Sequence, residues 1–272
     1  MVSPERSSVT SYRQMVEGAS TRNRLRTAAR SAAIFALSRL RDVPRGSSWL
    51  RFPYYHHVFD DERAGFARQL AYLRNFGDFI SLDDAVEHLG AATPPRGRYF
   101  SITFDDGFEN CLTNAVPILV EHHATAAFFL PTHFIGQRAS DFYGDGKRVD
   151  FLDWDGCRKM VAAGMTIGSH TVNHAKLIDL SSAEVERELR ESKETIEREL
   201  GAPCHHFCCP WGRPGLDFTA SREPEIARRL GYRSFLTTER GSALKQTSAM
   251  LVARDHTLAN WGNYQLRYFF SR

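Results

Sequence analysis

Apolar positions in this chain recur at two alternating spacings. After Pro53, short apolar runs of strand length alternate with longer stretches in which apolar residues return every three or four positions. Phe66, Leu70 and Leu73 predict one helix, and Ser81 caps a second that runs through Leu89. Residues 98–104 alternate into a strand, 112–120 read as helix, and 125–130 as a buried strand. A helix over 155–163 and a strand over 165–169 come next. Ser181 and Glu184 form a capping box; Val185, Leu189, Ile196 and Leu200 line one helix face, and Gly201 stops it. Strand 207–210, helix 224–230 and strand 232–237 repeat the pattern. Such alternation predicts parallel strands joined by crossover helices, with chemistry at the strands' C-terminal ends.

Residues 1–48 differ in composition. They carry nine Arg against three acids, or +6, so the remaining chain carries −3 of the net +3. Leu25, Ala29, Ala32, Ala36 and Leu40 recur at helical spacing, with Arg22, Arg24, Arg26, Arg30 and Arg39 between them. The expected division is a basic helical extension over 1–48 and a catalytic domain over 49–272. Two readings of the extension stay open: a solvated helix packed on the domain, or an amphipathic helix whose residues 22–41 touch an anionic membrane surface. The body has no basic bias that would suggest a nucleic-acid partner. No apolar run approaches the roughly 20 residues that span a bilayer. The start, Met1-Val2-Ser3-Pro4-Glu5, lacks the basic and apolar regions of a leader, and five cysteines suit a reducing compartment. The expectation is a cytoplasmic protein, with peripheral contact at the inner membrane face as its membrane variant.

Two motifs fall at the ends of predicted strands. Ile102-Thr103-Phe104-Asp105-Asp106-Gly107 runs from apolar residues into two adjacent carboxylates. Gly168-Ser169-His170-Thr171-Val172-Asn173-His174 supplies two imidazoles four apart, which one helical turn would place on the same side. One carboxylate and two imidazoles suit a divalent cation with an open position, and the other carboxylate is left as a base. Cys204-His205-His206-Phe207-Cys208-Cys209 has no CxxC pair and reads as buried strand rather than a zinc site. Tyr54-Tyr55-His56-His57 places two histidines in an extended segment, His122-His123 ends a helix, and Asp255-His256 is an acid–imidazole pair.

On these residues the chain resembles the polysaccharide deacetylases, carbohydrate esterase family four, with their nodulation-type deacetylase domain. Thr103-Phe104-Asp105-Asp106-Gly107 resembles the family's first motif, and Ser169-His170-Thr171-Val172-Asn173-His174 its second. Pro117-Ile118-Leu119, Ala126-Ala127-Phe128-Phe129 and the run from Trp154 to Gly168 resemble its connecting elements, so the likeness covers residues 52–256. It implies a distorted (β/α) barrel of seven or so parallel strands. It also implies one divalent ion, zinc first with cobalt, nickel or manganese as alternatives, on Asp106, His170 and His174. Asp105 would be the general base for a metal-bound water. Phe207-Cys208-Cys209-Pro210-Trp211-Gly212 matches the third motif, in which a backbone N–H faces the oxyanion and Pro210 and Trp211 lie against the substrate. Cys209 stands where arginine or tyrosine often precedes the proline, and Arg213 follows the motif as a candidate substitute. The usual Leu-x-x-His motif is absent. Two candidates for the general acid remain: His256, near the corresponding place, and His56, since Tyr55-His56 resembles the start of the poly-N-acetylglucosamine deacetylase branch.

The expected reaction is hydrolysis of an N-acyl group, N-acetyl first, from an amino sugar in a saccharide or glycolipid. The alternatives are deformylation of a lipid-linked sugar, removal of an O-acetyl ester, and a non-catalytic carbohydrate-binding module. The intact set Asp105, Asp106, His170 and His174 speaks against the last.

Overall fold

The computed structural model describes residues 8–18, 20–46, 48–91, 96–243 and 248–271; the chain start at residues 1–5 and the Arg24 side chain lie outside them. Two helices open the described chain, α1 (Tyr12–Met15) and α2 (Thr21–Ser38). The alternating part runs β1 (Trp49–Arg51), β2 (Pro53–Tyr55), α3 (Arg63–Leu73), β3 (Asp78–Phe79), α4 (Leu82–Gly90), β4 (Arg98–Phe100) and β5 (Ile102–Phe104). It continues with α5 (Val116–Glu121), β6 (Ala126–Leu130), α6 (Trp154–Ala162), β7 (Thr166–Ser169), α7 (Ser182–Leu200) and β8 (His206–Cys208). The last elements are α8 (Glu223–Arg229), β9 (Ser234–Leu236), β10 (Asp255–His256) and α9 (Asn263–Phe270).

Seven strands form one sheet in the order β10-β2-β5-β6-β7-β8-β9, and every pairing is parallel. The sheet curls into a distorted (β/α) barrel. The seam between β9 and β10 is bridged by the residues leading into β10. Val252 N–H donates to Phe235 O at 2.9 Å, Thr237 N–H to Val252 O at 2.9 Å, and Asp255 N–H to Phe52 O at 2.8 Å.

A second, three-stranded sheet has the order β1-β4-β3. Sequence periodicity predicts one strand over 98–104, but the structure divides it at Ser101, with β4 in the small sheet and β5 in the barrel. The neighbouring strand divides at Phe52 in the same way, and Ser101 N–H bonds Arg51 O at 3.0 Å across the break. Apolar alternation continues through both breaks while the partners change, so periodicity alone shows no boundary.

The capping box on Ser181 and Glu184 starts α7, and Gly201 ends it at φ 64°, the left-handed position that glycine adopts without a Cβ penalty. The predicted helix 112–120 begins as a π-turn over Cys111–Ala115 before α5. All five cysteines are buried and free, so the 204–209 run contributes buried strand side chains.

The N-terminal helix packs by a face other than the one its leucines suggest. Ile34 and Ser38 are buried where α2 lies on α9, and Phe35 meets Tyr264 edge-on at 5.5 Å. Leu25 and Leu40 are 67% and 84% exposed. Among the described residues no helix is long and apolar enough to cross a membrane.

Candidate active site

The aspartates leave the C-terminal end of β5. Asp105 N–H bonds Tyr55 O on β2 at 3.0 Å, and Asp106 then turns to φ 72°, a strained conformation for a residue with a Cβ. This turn brings both carboxylates into one cavity of about 600 Å³, which His56, His170, His174 and Trp211 also line. Thr171 (φ 67°), His174 (φ 54°) and Trp211 (φ 62°) are strained in the same sense, so the unusual backbone concentrates at the three motifs.

His170 and His174 do not share a helical turn. They follow β7 in an irregular loop whose left-handed residues Thr171 and His174 fold the chain back, so that the rings lie 5.0 Å apart. A buried carboxylate on α7 holds the loop. Glu188 accepts from Val172 N–H at 2.9 Å, Asn173 N–H at 3.0 Å and the Asn173 side-chain amide at 2.6 Å. Sequence reading missed Glu188. The signal was a charge on the buried stripe formed by Val185, Leu189 and Ile196.

His170 Nδ1 lies 2.7 Å from Cys208 O, so that nitrogen carries the proton and Nε2 presents a lone pair in the neutral ring. His170 Nε2 sits 3.5 Å, and His174 Nε2 3.2 Å, from Asp106 Oδ1. That oxygen is buried and has no hydrogen-bond partner. Burial pulls the Asp106 carboxyl up, but the His170 and His174 imidazoles outweigh it and hold the group well below the usual carboxylate range. Converging nitrogen and oxygen lone pairs around an unsatisfied buried oxygen are a donor set that fits a divalent cation.

Asp105 is locked by a residue absent from the sequence reading. Arg254 leaves the seam-bridging segment and is fully buried. Its Nη1 donates to Asp105 Oδ1 and its Nη2 to Oδ2, each at 2.7 Å. Nε donates to Thr237 O at 2.8 Å, Nη1 reaches Thr103 Oγ1 at 3.1 Å, and the guanidinium lies 4.2 Å from the Tyr54 ring centroid. Burial raises the Asp105 carboxyl, but Arg254 more than offsets that and keeps it below its ordinary range. The clue in the sequence was an arginine inside an apolar run and beside Asp255-His256.

The other candidates separate by position. His56 lines the cavity and makes ring contacts with Tyr54 at 5.6 Å and His256 at 5.7 Å. His256 lies behind it on β10, outside the lining, and burial with the charge of His56 lowers its imidazole to about 4. His57 is wedged between Phe59 and Phe108, with Asn110 on Nδ1 at 2.9 Å and the Tyr143 hydroxyl on Nε2 at 2.7 Å. Burial pushes His57 down to about 3, so it stays neutral. Trp211 is 58% exposed and meets His174 at 5.4 Å. Pro210 and Arg213 do not line the cavity: Pro210 is buried beneath it, and Arg213 is clamped on Asp217, with Nε to Oδ2 at 2.8 Å and Nη2 to Oδ1 at 3.1 Å. The arginine beside Asp105 is Arg254, from a different segment of the chain.

Residues 92–235 match the family model described as polysaccharide deacetylase. The chain is similar to the putative polysaccharide deacetylase YxkH of Bacillus subtilis, 26% identical over 160 residues, 59% of this chain and 52% of that protein. It is also similar to the chitooligosaccharide deacetylase of Azorhizobium caulinodans, 34% identical over 113 residues, 41% and 47% of the two chains. It thus spans about half the length of the curated relatives it matches. Among solved structures, IcaB from Ammonifex degensii superposes with a TM-score of 0.70 at 22% identity, covering 83% of this chain and 98% of that one. The Streptococcus pyogenes deacetylase PplD in complex with acetate gives 0.66 at 23% identity, covering 80% and 96%. At these identities the two structures speak for the fold. The family match covers more than half of the chain and takes in both motifs that build the cavity: this chain belongs to the polysaccharide deacetylase family.

Proposed function

We propose that this protein removes an N-acyl group, N-acetyl first, from an amino sugar of a saccharide or glycoconjugate. The observation that carries the reading is Asp106 Oδ1, buried and unsatisfied between two imidazole nitrogens, beside a second carboxylate held ionised by Arg254. Asp106, His170 and His174 would hold one divalent cation, zinc first. When bound, such an ion polarises an acyl carbonyl and lets a water lose its proton near neutrality.

The rest of the chemistry belongs to the protein's own side chains. Asp105 Oδ1 accepts from both Arg254 and the Cys208 thiol, whereas Oδ2 gives one lone pair to Arg254 and keeps another, so the carboxylate can accept the proton of an attacking water at Oδ2 while its orientation is fixed. His56 faces the cavity and would deliver a proton to the leaving amine. Trp211 would wall the acyl methyl and offer its backbone N–H to the developing oxyanion, as the motif resemblance implies. His256, with its imidazole lowered to about 4, is neutral near pH 7 and lacks the acidic imidazolium proton. The relatives named chitooligosaccharide deacetylase support an N-acetylated saccharide as substrate. Five buried free cysteines suit a reducing compartment, and the exposed Leu25 and Leu40 beside Arg22, Arg26 and Arg30 suit a peripheral membrane contact.

The test is a panel of N-acetylated, N-formylated and O-acetylated sugars assayed before and after chelation, with metal add-back. Acetate release from the N-acetyl arm that chelation abolishes and metal restores is the expected result. Formate release instead would select the deformylase reading, and ester cleavage alone the esterase. Silence on every arm would remove the catalytic reading.

A further inference from the structure

We propose that residues 8–15 are a strap that closes one side of the substrate cavity, so that the enzyme acts on a single or chain-terminal N-acylated sugar and rejects internal units of a polymer. This rests on the deacetylase reading and names its substrate class.

The strap is fastened at two separate places. On one side, Ser8 Oγ donates to Asp150 Oδ1 at 2.8 Å and Val9 N–H to Arg148 O at 2.7 Å. On the other, Asp60 N–H donates to Thr10 O at 3.0 Å, and the carboxylate of Asp61 accepts from Tyr12 N–H at 2.7 Å and Arg13 N–H at 3.2 Å. Ser11 and Gln14 cap the short helix α1 reciprocally and stiffen the span. The first anchor belongs to the loop after β6 and the second to the loop after β2. In the sheet, β5 lies between β2 and β6, and its C-terminal end carries Asp105 and Asp106. The segment thus bridges the two loops that flank the strand carrying the reacting carboxylates.

The strap also contributes to the cavity itself. Tyr12 and Met15, both half-buried, line it together with Asp105, Asp106, His170 and His174. Its volume of about 600 Å³ lies within the roughly 300–1,000 Å³ of small-molecule pockets, which suits one or two sugar rings. A polymer threading the site needs a groove open at both ends. Here Tyr12 and Met15 of the strap form part of the wall.

The experiment uses chitooligosaccharides from disaccharide to hexasaccharide and soluble glycol chitin, with mass-spectrometric sequencing of the units that lose acetate. The unaltered protein should deacetylate only a terminal unit, with no gain in kcat/KM as the chain lengthens. Asp61→Ala frees two anchors without touching the cavity lining and should extend deacetylation to internal units and to glycol chitin. Met15→Ala should raise KM for the disaccharide by about tenfold with kcat held, as expected for a lost apolar pocket contact. Thermal melts establish that each variant is folded, and Tyr12→Ala replaces any that is not. Internal deacetylation by the unaltered protein, or terminal selectivity that survives in folded Asp61→Ala and Tyr12→Ala, overturns the strap. Acetate release with no such selectivity leaves the deacetylase reading standing. No acetate from any substrate, from the protein or its variants, overturns both.

Discussion

Arg254→Met tests the part of the site that holds the proposed base. The substitution keeps side-chain volume and deletes the charge, leaving Asp105 as a buried carboxylate without its partner. Breaking one side of a buried ion pair costs about 3–5 kcal/mol. The two parallel 2.7 Å bonds to Asp105, with further bonds to Thr237 O and Thr103 Oγ1, favour the upper half of that range. At about 2 °C per kcal/mol for a domain of this size, the melting temperature should fall on the order of 8–10 °C. With Arg254 gone, burial dominates Asp105 and favours its protonated form, so turnover near neutrality should drop about 10²–10⁴-fold. Arg254→Lys keeps a charge but loses the two-pronged geometry, and should fall between. The decisive comparison is a double-mutant cycle. Asp105→Asn alone strands the Arg254 charge and should cost about as much as Arg254→Met, whereas the double variant buries no net charge and should recover most of the lost stability while remaining inactive. The assay is chemical denaturation alongside initial rates. Additive stability losses in the double variant, or an Arg254→Met protein with normal melting and turnover, would refute the coupling.

The remaining predictions concern other groups. His170→Ala should lose bound metal in elemental analysis of the purified protein, while Asp105→Asn should keep it; unchanged content in the first would remove the ligand assignment. His56→Ala should lower kcat and flatten the basic side of the pH–rate profile, and His256→Ala should be mild, because burial already keeps that imidazole neutral near pH 7; the reverse pattern would transfer the proton-donor role to His256. Burial lifts the Glu62 carboxyl to about 7 against the opposing Phe59 N–H, so the folded state holds its proton more tightly than the unfolded chain. Its contribution to stability is full below the unfolded carboxyl's pKa and is lost as pH rises through about 7, so Glu62→Gln should raise the melting temperature above about pH 7 and change little near pH 4; a pH-independent difference would contradict this. Replacing Leu25 and Leu40 by Asp should reduce flotation with anionic vesicles and leave activity on soluble substrate intact; equal flotation would end the membrane reading.

The helices and most strands were legible because each carries its own periodicity: the α7 stripe with Ser181, Glu184 and Gly201 needs no tertiary information. The site motifs were legible for a related reason, since Asp105-Asp106 and His170/His174 are local runs of chemically unusual residues at strand ends. What stayed hidden depends on distant partners. Arg254 meets Asp105 only because the chain crosses from β9 to β2. Glu188 reaches the histidine loop through backbone N–H groups that have no sequence signature. The helical turn expected for His170 and His174 failed because a spacing of four also fits a loop with left-handed residues at Thr171 and His174. The anchors of residues 8–15 were not legible because they are hydrogen bonds, which leave no apolar pattern. On α2 the leucine face looked like the packing face, yet the buried contacts fall on Ile34 and Ser38.

The seam between β9 and β10 has a consequence for the life of the newly made chain. A ribosome releases Asp105, Asp106, His170 and His174 well before Arg254, and the first strands can assemble around the cation ligands while the last turn of the barrel is still unmade. In that interval the Asp105 carboxylate has no guanidinium to fix its orientation. On the proposed mechanism such an intermediate has its cation ligands but not an oriented base. Hydrolytic competence then reports that residues 252–256 have docked, and catalysis is gated by completion of folding rather than by capture of the ion.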